Sequence, residues 1–535
     1  MVTTRDQTDV VVIGSGAGGG VICRELAEAG LNVVVLEAGK RYRPYQDYPT
    51  QAQDFEVRAE NVFLPEDGRR DLYTSPGKSP FSYHRVKGVG GSTLAYHAMS
   101  PRFHESDFRV RSEDGVADDW PISYADLEPY YTKVEYDLGV SGPNGAEANP
   151  FEAPRSRPFP TPPHPFNLAS RTIKRGADKL GLHLVREPLA IPTVDWNGRP
   201  ACINAGTCRL GCRIAAKSSV DVTYIPWAEK TKRVQLRIEC TAREITVSDD
   251  GKARSVIYFD QNGQEQEVFA RVIVVAGNAV ETARLLLLSK SSRFPGGLAN
   301  SSGLVGKRFV EHLSVFAYGV FSERLDPWRG VPTGGIIQDF YATNSKNSFV
   351  RGWTTAVENE SQWPLSTAKR VGGWGAEHQA RMKQVFGHTV GVASDGEQLP
   401  AESNQVKLDP SVKDNYGIPV PLIVNNWQQN DLAMIDAMAK SHREILEAAG
   451  AREVSVNPCV AGNSSHYLGT CRMGDDPSKS VVDPWCRTHD VPNMFIGDGS
   501  VFVTGAAVNP ALTISALASR TADGIVESFK RGEFS

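Results

Sequence analysis

With 535 residues, 40% of them hydrophobic and 22% charged, the chain is long enough for two domains with large cores and is ordinary in composition for a globular protein. A net charge of −4 leaves no basic surplus for nucleic acid or an anionic membrane surface, and eight irregularly spread cysteines argue against a disulfide scaffold. No apolar run approaches the roughly 18 residues that span a bilayer, and the polar start MVTTRDQTDV reads as lacking a signal peptide, so synthesis in the cytoplasm is expected.

Asp9–Gly39, DVVVIGSGAGGGVICRELAEAGLNVVVLEAG, organises the rest of the chain. Val10–Ile13 is short, apolar and β-branched, as a buried parallel strand would be; a helical pattern (Val21, Leu26, Ala29) comes next and stops at Gly30. Between them Gly14, Gly16 and Gly19 fall in G-x-G-x-x-G spacing. The first glycine permits a tight turn, the second lets backbone approach a pyrophosphate, and the third lets helix pack on strand. A second strand, Val33–Leu36, delivers Glu37 eighteen residues beyond Gly19, where a carboxylate can accept hydrogen bonds from an adenosine ribose. Together these parts predict dinucleotide binding rather than a mere Gly-rich turn.

Tyr42–Ser79 is polar and aperiodic and reads as a long excursion. It returns at His84–Pro101, where Gly88, Gly90 and Gly91 leave backbone amides uncovered, useful where a ligand approaches closely. Trp120–Val140 reads as a helix with Ser123 at its N-cap, and Pro143–Pro165 as a linker or surface wrap. Cys202, Cys208 and Cys212 come next in C-x5-C-x3-C spacing, with Gly206 and Gly211 allowing tight backbone. Three soft ligands within eleven residues match a three-iron cluster, or a four-iron cluster with one outside ligand, better than structural zinc with its usual four protein ligands; reduced cysteines in a compact loop are the alternative. Cys23, Cys240, Cys459, Cys471 and Cys486 read as small buried hydrophobes.

From Val220 to Ala276 four strand-like segments separated by polar turns, among them Asp249-Asp250-Gly251 and Asn262-Gly263, read as an antiparallel meander. The last strand, Val272–Ala276, feeds Gly277-Asn278-Ala279 and a helix over Val280–Ser289, as if the chain re-entered its nucleotide domain. Trp328, Trp353, Trp363, Trp374 and Trp427 then crowd a weakly periodic middle segment; their faces suit either a ring-shaped polar substrate or, more commonly, a core. Asp431–Gly450 is an amphipathic helix that carries His442 on its apolar stripe, as a packed core histidine. Near the C-terminus His466 precedes a Gly-Thr turn, Asn493–Ser500 is a short strand ending in Gly497-Asp498, and Asn509 stands just before Pro510 at a helix start. A second Gly-Asp strand end suits a flavin dinucleotide, whose ribityl chain needs polar partners beyond the first βαβ unit.

These motifs resemble those of the glucose-methanol-choline oxidoreductase family: the N-terminal fingerprint, KGVGGST at Lys87–Thr93, GNAVETARLLLLS at Gly277–Ser289, LVGKRFVEH at Leu304–His312, HYLGTCRMG at His466–Gly474 and GDGSVFVTGAAVNPALT at Gly497–Thr513, in order from end to end. The three-cysteine loop is similar to that of the large subunits of bacterial FAD-dependent sugar, sorbitol and gluconate dehydrogenases, although Arg213 stands where those often have proline. The resemblance implies an α/β fold with a discontinuous Rossmann-type FAD-binding domain (1–110, 215–315 and 455–535). A second α+β substrate-binding domain, built on an antiparallel sheet, would comprise 111–214 and 316–454 and include the Cys-rich loop 202–212. It implies His466 and Asn509 as the catalytic pair, 43 residues apart. FAD contacts would come from Gly14, Gly16, Ala17, Gly19, Glu37, Ala38, Gly88, Gly91, Ser92, Ala276, Gly277, Asp498, Asn509 and Pro510. FAD would be non-covalent, since the attachment position counts to Ala95, with His97 two residues on. Cys202, Cys208 and Cys212 would hold a 3Fe-4S cluster that accepts electrons. The implied activity is oxidation of a sugar or glycoside hydroxyl, C1 or C3, with a small subunit and a cytochrome or quinone acceptor as partners, and export to the periplasm alongside that subunit. An O2-using oxidase without a cluster and a non-catalytic flavin-binding subunit are the alternatives.

Overall fold

The computed structural model describes residues 6–48, 72–359, 364–457 and 464–534. Trp363, Cys459 and the middle of the Tyr42–Ser79 excursion lie outside the described residues. Strands are numbered β1 to β17 in chain order.

The β-branched run Val10–Ile13 lies in β1 (Gln7–Ile13), flanked in parallel by β2 (Val33–Leu36) and by the upper half of β7 (Glu265–Val275). All of these apolar residues are buried, as two-sided coverage demands. β17 (Met494–Ile496) adds parallel to Ile273–Val275 on the far side of β7. Ile13, Leu36, Val275 and Ile496 therefore end in one row, and Gly14, Glu37, Ala276 and Gly497 open a crevice outside the carboxyl ends of the strands, where ligands bind in such sheets.

The rest of this sheet corrects one expectation. β5 (Thr241–Val247), β6 (Ala253–Phe259) and the lower half of β7 form the antiparallel meander, but β4 (Val234–Arg237) pairs in parallel with β2 at the opposite edge. The two hairpins turn at Gly251 and Gly263, both with positive φ, whereas no such turn joins β4 to β5. A helix, Tyr224–Lys230, instead leads into β4 as a crossover leads into a parallel strand.

A second, six-stranded sheet runs in the order β15 (Glu453–Asn457), β9 (Leu313–Val320), β12 (Thr389–Gly396), β11 (Trp353–Glu358), β10 (Thr333–Ile337) and β3 (Leu184–Val185), all antiparallel. The helix Gln429–Ala448 packs on one face, burying Leu313, Val315 and Ala317 against Met434, Met438 and Ile445, while Ser314, Phe316 and Tyr318 on the other face stay half-buried. His442 of that helix bonds Ser394 of β12 at 2.5 Å, so the next residue, Asp395, belongs to the opposite, half-open face. A four-stranded antiparallel sheet, β14 (Pro419–Val424), β13 (Gln405–Lys413), β8 (Lys307–Val310) and β16 (Leu468–Thr470), joins the two. Its pairing of Val310 with Leu468 sets His312 and His466, each two residues outside the pair, side by side.

Of the described tryptophans of the middle segment, Trp328, Trp353 and Trp427 take the core reading and Trp374 does not. Trp353 is buried and stacked on Phe340, Trp328 is stacked on Phe386, Trp427 packs under the helix Gln429–Ala448, and Trp374 is 89% exposed. Among the described tryptophans, none lines the crevice.

Candidate active site

The crevice encloses a cavity of about 590 Å³ lined by residues from both ends of the chain and from the re-entering strand. Gly14, Gly16, Ala17, Glu37, Ala38, Gly91, Ser92, Ala276, Gly277, Asp498 and Pro510 are on its wall. Gly19 and Gly88 stand just behind it. A Cβ on Gly19 would meet Gly14 O at 2.0 Å, which is the helix-on-strand contact, and one on Gly88 would meet Tyr42 and Leu94 at 2.9 Å. Gly14 turns with φ +96°. A Cβ on Gly16 would find only Gly91 Cα within 4 Å, at 3.9 Å, so its backbone is bare toward the cavity. The helix Gly19–Glu28 begins after Gly18 with no side-chain cap; Gly20 N donates to Gly16 O, and the helix N-terminus is otherwise uncapped on the side a pyrophosphate would approach.

Two buried carboxylates hold the rim in place. Ser15 donates to Glu37 Oε2 from N and Oγ at 3.1 and 2.6 Å, and Gly39 N donates to Oε1 at 2.9 Å. Ser15 Oγ also accepts from Gly90 N, so this hydroxyl ties the first glycine loop to the second. Burial pushes the Glu37 carboxyl up, and these hydrogen bonds oppose it. Asp498 accepts from Thr282 Oγ1, Asn278 N and Ser500 N, joining β17 to the helix Ala279–Leu288; burial raises its pKa too, against the same kind of opposition. Ser15 and Asn278 are missed by motif reasoning, because each acts through a hydrogen bond to a residue far away in sequence.

His466 also lines the cavity, and its ring is held at both nitrogens. Nε2 lies 3.2 Å from Asn509 Nδ2, and Nδ1 lies 2.9 Å from His312 Nδ1 and 3.9 Å from Asp395 Oδ1. His312 Nε2 lies 3.1 Å from the carbonyl of Gly505. The hydrogen-bond network assigns the tautomers. A carbonyl accepts, so His312 carries its proton on Nε2 and offers a lone pair at Nδ1. His466 must then donate from Nδ1, which leaves its Nε2 lone pair facing the Asn509 amide. Burial, with His312 and His97 adding to it, holds His466 well below the usual histidine range. The imidazole is thus kept neutral with Nε2 ready to take a proton, rather than poised to titrate near pH 7.

His312 lies inside the LVGKRFVEH motif yet carries no role in the sequence reading, and Asp395 stands outside every motif. Among the described residues, His312, Asp395 and His466 are the group of potential metal ligands whose donor atoms converge within 4.8 Å. Two of those atoms already face each other in a hydrogen bond, which makes this a proton network. The cysteine loop is not such a group. Cys202 Sγ accepts from Asn204 N and Cys212 Sγ from Lys217 N, each at 3.3 Å, and burial pushes the Cys202 thiol up to about 11. The three sulfurs do not meet within 4.8 Å, as a single zinc would need; a multi-iron cluster sets its thiolates further apart. Buried Lys217 donates to the carbonyls of Leu94, Tyr96 and Cys208, fastening this loop to the stretch just after Gly91.

A dinucleotide crevice at the ends of parallel strands, walled by a neutral imidazole with an amide partner, defines a flavin-type oxidoreductase. The chain belongs to the GMC oxidoreductase family: its N-terminal family model matches residues 9–314 and its C-terminal model residues 400–518. It is 35% identical to 2-methyl-1,2-propanediol dehydrogenase of Mycolicibacterium austroafricanum, over 99% of this chain and 97% of that one. It is 31% identical to the fructose dehydrogenase large subunit of Gluconobacter japonicus, over 98% of each. In fold it is similar to pyridoxine 4-oxidase from Mesorbium loti, with a TM-score of 0.63 at 16% identity, covering 97% of this chain and 99% of that one. The protein is an FAD-dependent enzyme acting on CH–OH groups. No helix among the described residues is long and apolar enough to cross a membrane.

Proposed function

We propose that the enzyme oxidises a hydroxyl of a sugar or glycoside, at C1 or C3, to the carbonyl, with His466 as base and Asn509 as its partner. The observation that carries this is the assigned lone pair on His466 Nε2 at the wall of the cavity, with Asn509 Nδ2 3.2 Å away. A substrate hydroxyl reaching Nε2 would give up its proton there, while Asn509 donates to the same oxygen and orients it without competing for the proton. FAD, held non-covalently by the residues of the cavity wall, would supply the hydride-accepting flavin N5. Ala95 offers no atom for a covalent link. The thiolates of Cys202, Cys208 and Cys212 would hold a 3Fe-4S cluster carrying electrons onward singly, to a cytochrome or quinone by way of a small subunit. The relative named as a large subunit supports the partnering subunit alone. The FAD-binding role falls to 1–110, 215–315 and 455–535, the substrate side to 111–214 and 316–454, and residence to the periplasm, reached together with that subunit.

The test is anaerobic mixing of the purified enzyme with sugars, glycosides and short diols while flavin absorbance is monitored, with iron and acid-labile sulfide measured on the same sample. Bleaching by a sugar or glycoside and about three irons per flavin are expected, and Cys208→Ser should remove the iron while flavin stays. Flavin released by acid precipitation would establish non-covalent attachment. Bleaching by diols alone overturns the sugar reading; iron-free protein that turns over on O2 overturns the relay.

A further inference from the structure

β12 pairs with β9 so that Gly396 faces Leu313, and one residue further along each chain Glu397 comes opposite His312. A single peptide unit bridges these two side chains. Ala506 N donates to Glu397 Oε1 at 3.1 Å, and the Gly505 carbonyl of the same peptide accepts from His312 Nε2 at 3.1 Å. The N–H and C=O of a planar trans peptide point to opposite sides, so a carboxylate at one end and an imidazole at the other are joined in line. That orientation is imposed. Ala506 has φ +53°, a left-handed conformation that costs an alanine energy and persists only where its surroundings fix it.

Glu397 is fully buried, and both of its oxygens accept from N–H groups, Oε2 from Arg351 Nε at 2.6 Å. Arg351 does not need it for charge balance. Its Nη1 donates to Asp114 at 3.1 Å and its Nη2 to Asp107, which also accepts from Tyr341 Oη at 2.6 Å. Burial raises the pKa of Glu397, Arg351 opposes that rise, Asp107 adds to it and His312 draws it down. An anion beside a peptide N–H favours the charge-separated resonance form of the amide and loads its oxygen with negative charge, so the hydrogen bonds along such a chain strengthen one another. The Gly505 carbonyl can only accept, so His312 keeps its proton on Nε2 and turns a lone pair at Nδ1 toward His466 Nδ1, 2.9 Å away.

We propose that Glu397 is a positioning residue for the reaction: by holding the Gly505–Ala506 peptide it selects the tautomer of His312, and through His312 it keeps the lone pair on His466 Nε2. Its bearing on catalysis rests on the reading of His466 as the base. When His466 takes up a substrate proton, its Nδ1–H points down a chain of hydrogen bonds that ends on the Glu397 carboxylate, which is not on the cavity wall.

The test is magic-angle-spinning NMR of FAD-loaded protein labelled with 15N in the histidine rings, with His312→Ala and His466→Ala assigning the signals. Wild type should show His312 protonated on Nε2 alone and His466 on Nδ1 alone. Glu397→Gln leaves one acceptor oxygen for two donors; the guanidinium takes it, and Ala506 N–H is left facing an NH2 group, so both tautomers of His312 should appear. Anaerobic rapid mixing with glucose, methyl glucoside and 1,2-propanediol is run on the same samples. Glu397→Gln should slow flavin reduction about ten-fold or more with the substrate dissociation constant unchanged. In a His312→Ala background it should cost no more than about two-fold further, because the link is already cut. Glu397→Asp keeps a carboxylate for Arg351 but draws it back from Ala506 N, and it carries the same test where Glu397→Gln fails to fold. Unchanged tautomers, or an equal loss of rate with and without His312, overturn the proposal. Mixed tautomers with an unimpaired rate, or with no probe bleaching even the wild-type flavin, uphold the positioning of His312 and overturn the assigned reaction instead.

Discussion

The lone pair on His466 Nε2 depends on a proton sitting on Nδ1, and His312 is what keeps that proton there. Replacing His466 by alanine should leave FAD bound and slow substrate-driven flavin reduction by roughly 10²–10⁴-fold, the usual worth of general base catalysis. Asn509→Ala should cost less, roughly 10²-fold, because the base remains and only an orienting donor is lost. Rapid mixing of each FAD-loaded variant with substrate measures both. His312 acts through His466 and is a positioning residue, so its signature is a pH profile. His312 is among the groups that hold His466 below the usual range. Deleting it removes that push, raises the pKa of the base, and should move the acid limb of kcat/KM to higher pH. His312→Ala is therefore expected to lose more activity at pH 5.5 than at pH 8; an unshifted limb would mean that His312 only fills space.

At the scale of elements, the helix Gln429–Ala448 illustrates how a buried histidine couples packing to pH. Its apolar stripe closes one face of the six-stranded sheet, and His442 sits in that stripe, fully buried, with Nε2 on Ser394 Oγ and Nδ1 without a partner. Burial lowers its pKa from 6.5 to about 3. A histidine kept neutral in the fold but free to charge when unfolded favours the folded state fully above pH 6.5, and loses that advantage as pH falls toward 3. Between pH 6.5 and pH 5 the loss is about 2 kcal/mol, at about 1.4 kcal/mol per pH unit. His442→Gln keeps a donor for Ser394 and removes the titration. Its unfolding midpoint in urea should therefore fall less than that of the wild type between pH 7 and pH 5. Equal acid sensitivity would assign the loss to other groups.

Across the whole molecule, what is legible in the sequence is whatever depends on chain neighbours. Gly14, Gly16, Gly19 and Glu37 belong to one βαβ unit, and the caps of Tyr124–Leu138 and Ala279–Leu288 are local as well. Partners chosen across the fold are not legible: β4 looks like any short strand until β2 claims it, and His312 and Asp395 lie 154 and 71 residues from the imidazole they surround. Gly18 belongs with these. It is outside the fingerprint spacing, yet a Cβ there would lie 1.7 Å from Gly497 O and 2.8 Å from its carbonyl carbon, both backbone atoms that cannot turn aside. This contact seals the first βαβ unit to the C-terminal strand, and the cavity exists between the two. Gly16 is the natural contrast, because its Cβ would meet nothing closer than 3.9 Å and would project where the cofactor's phosphates approach. Gly18→Ala must therefore push two backbones apart, at about 1–3 kcal/mol or more, lowering the thermal midpoint and the flavin content together. Gly16→Ala should lose flavin while its midpoint drops only to that of wild-type protein stripped of FAD, since ligand linkage is all that it forfeits. Flavin per chain after gel filtration, set beside thermal midpoints of loaded and stripped protein, separates the two; a Gly18→Ala enzyme with full flavin and an unchanged midpoint would show that the seam yields.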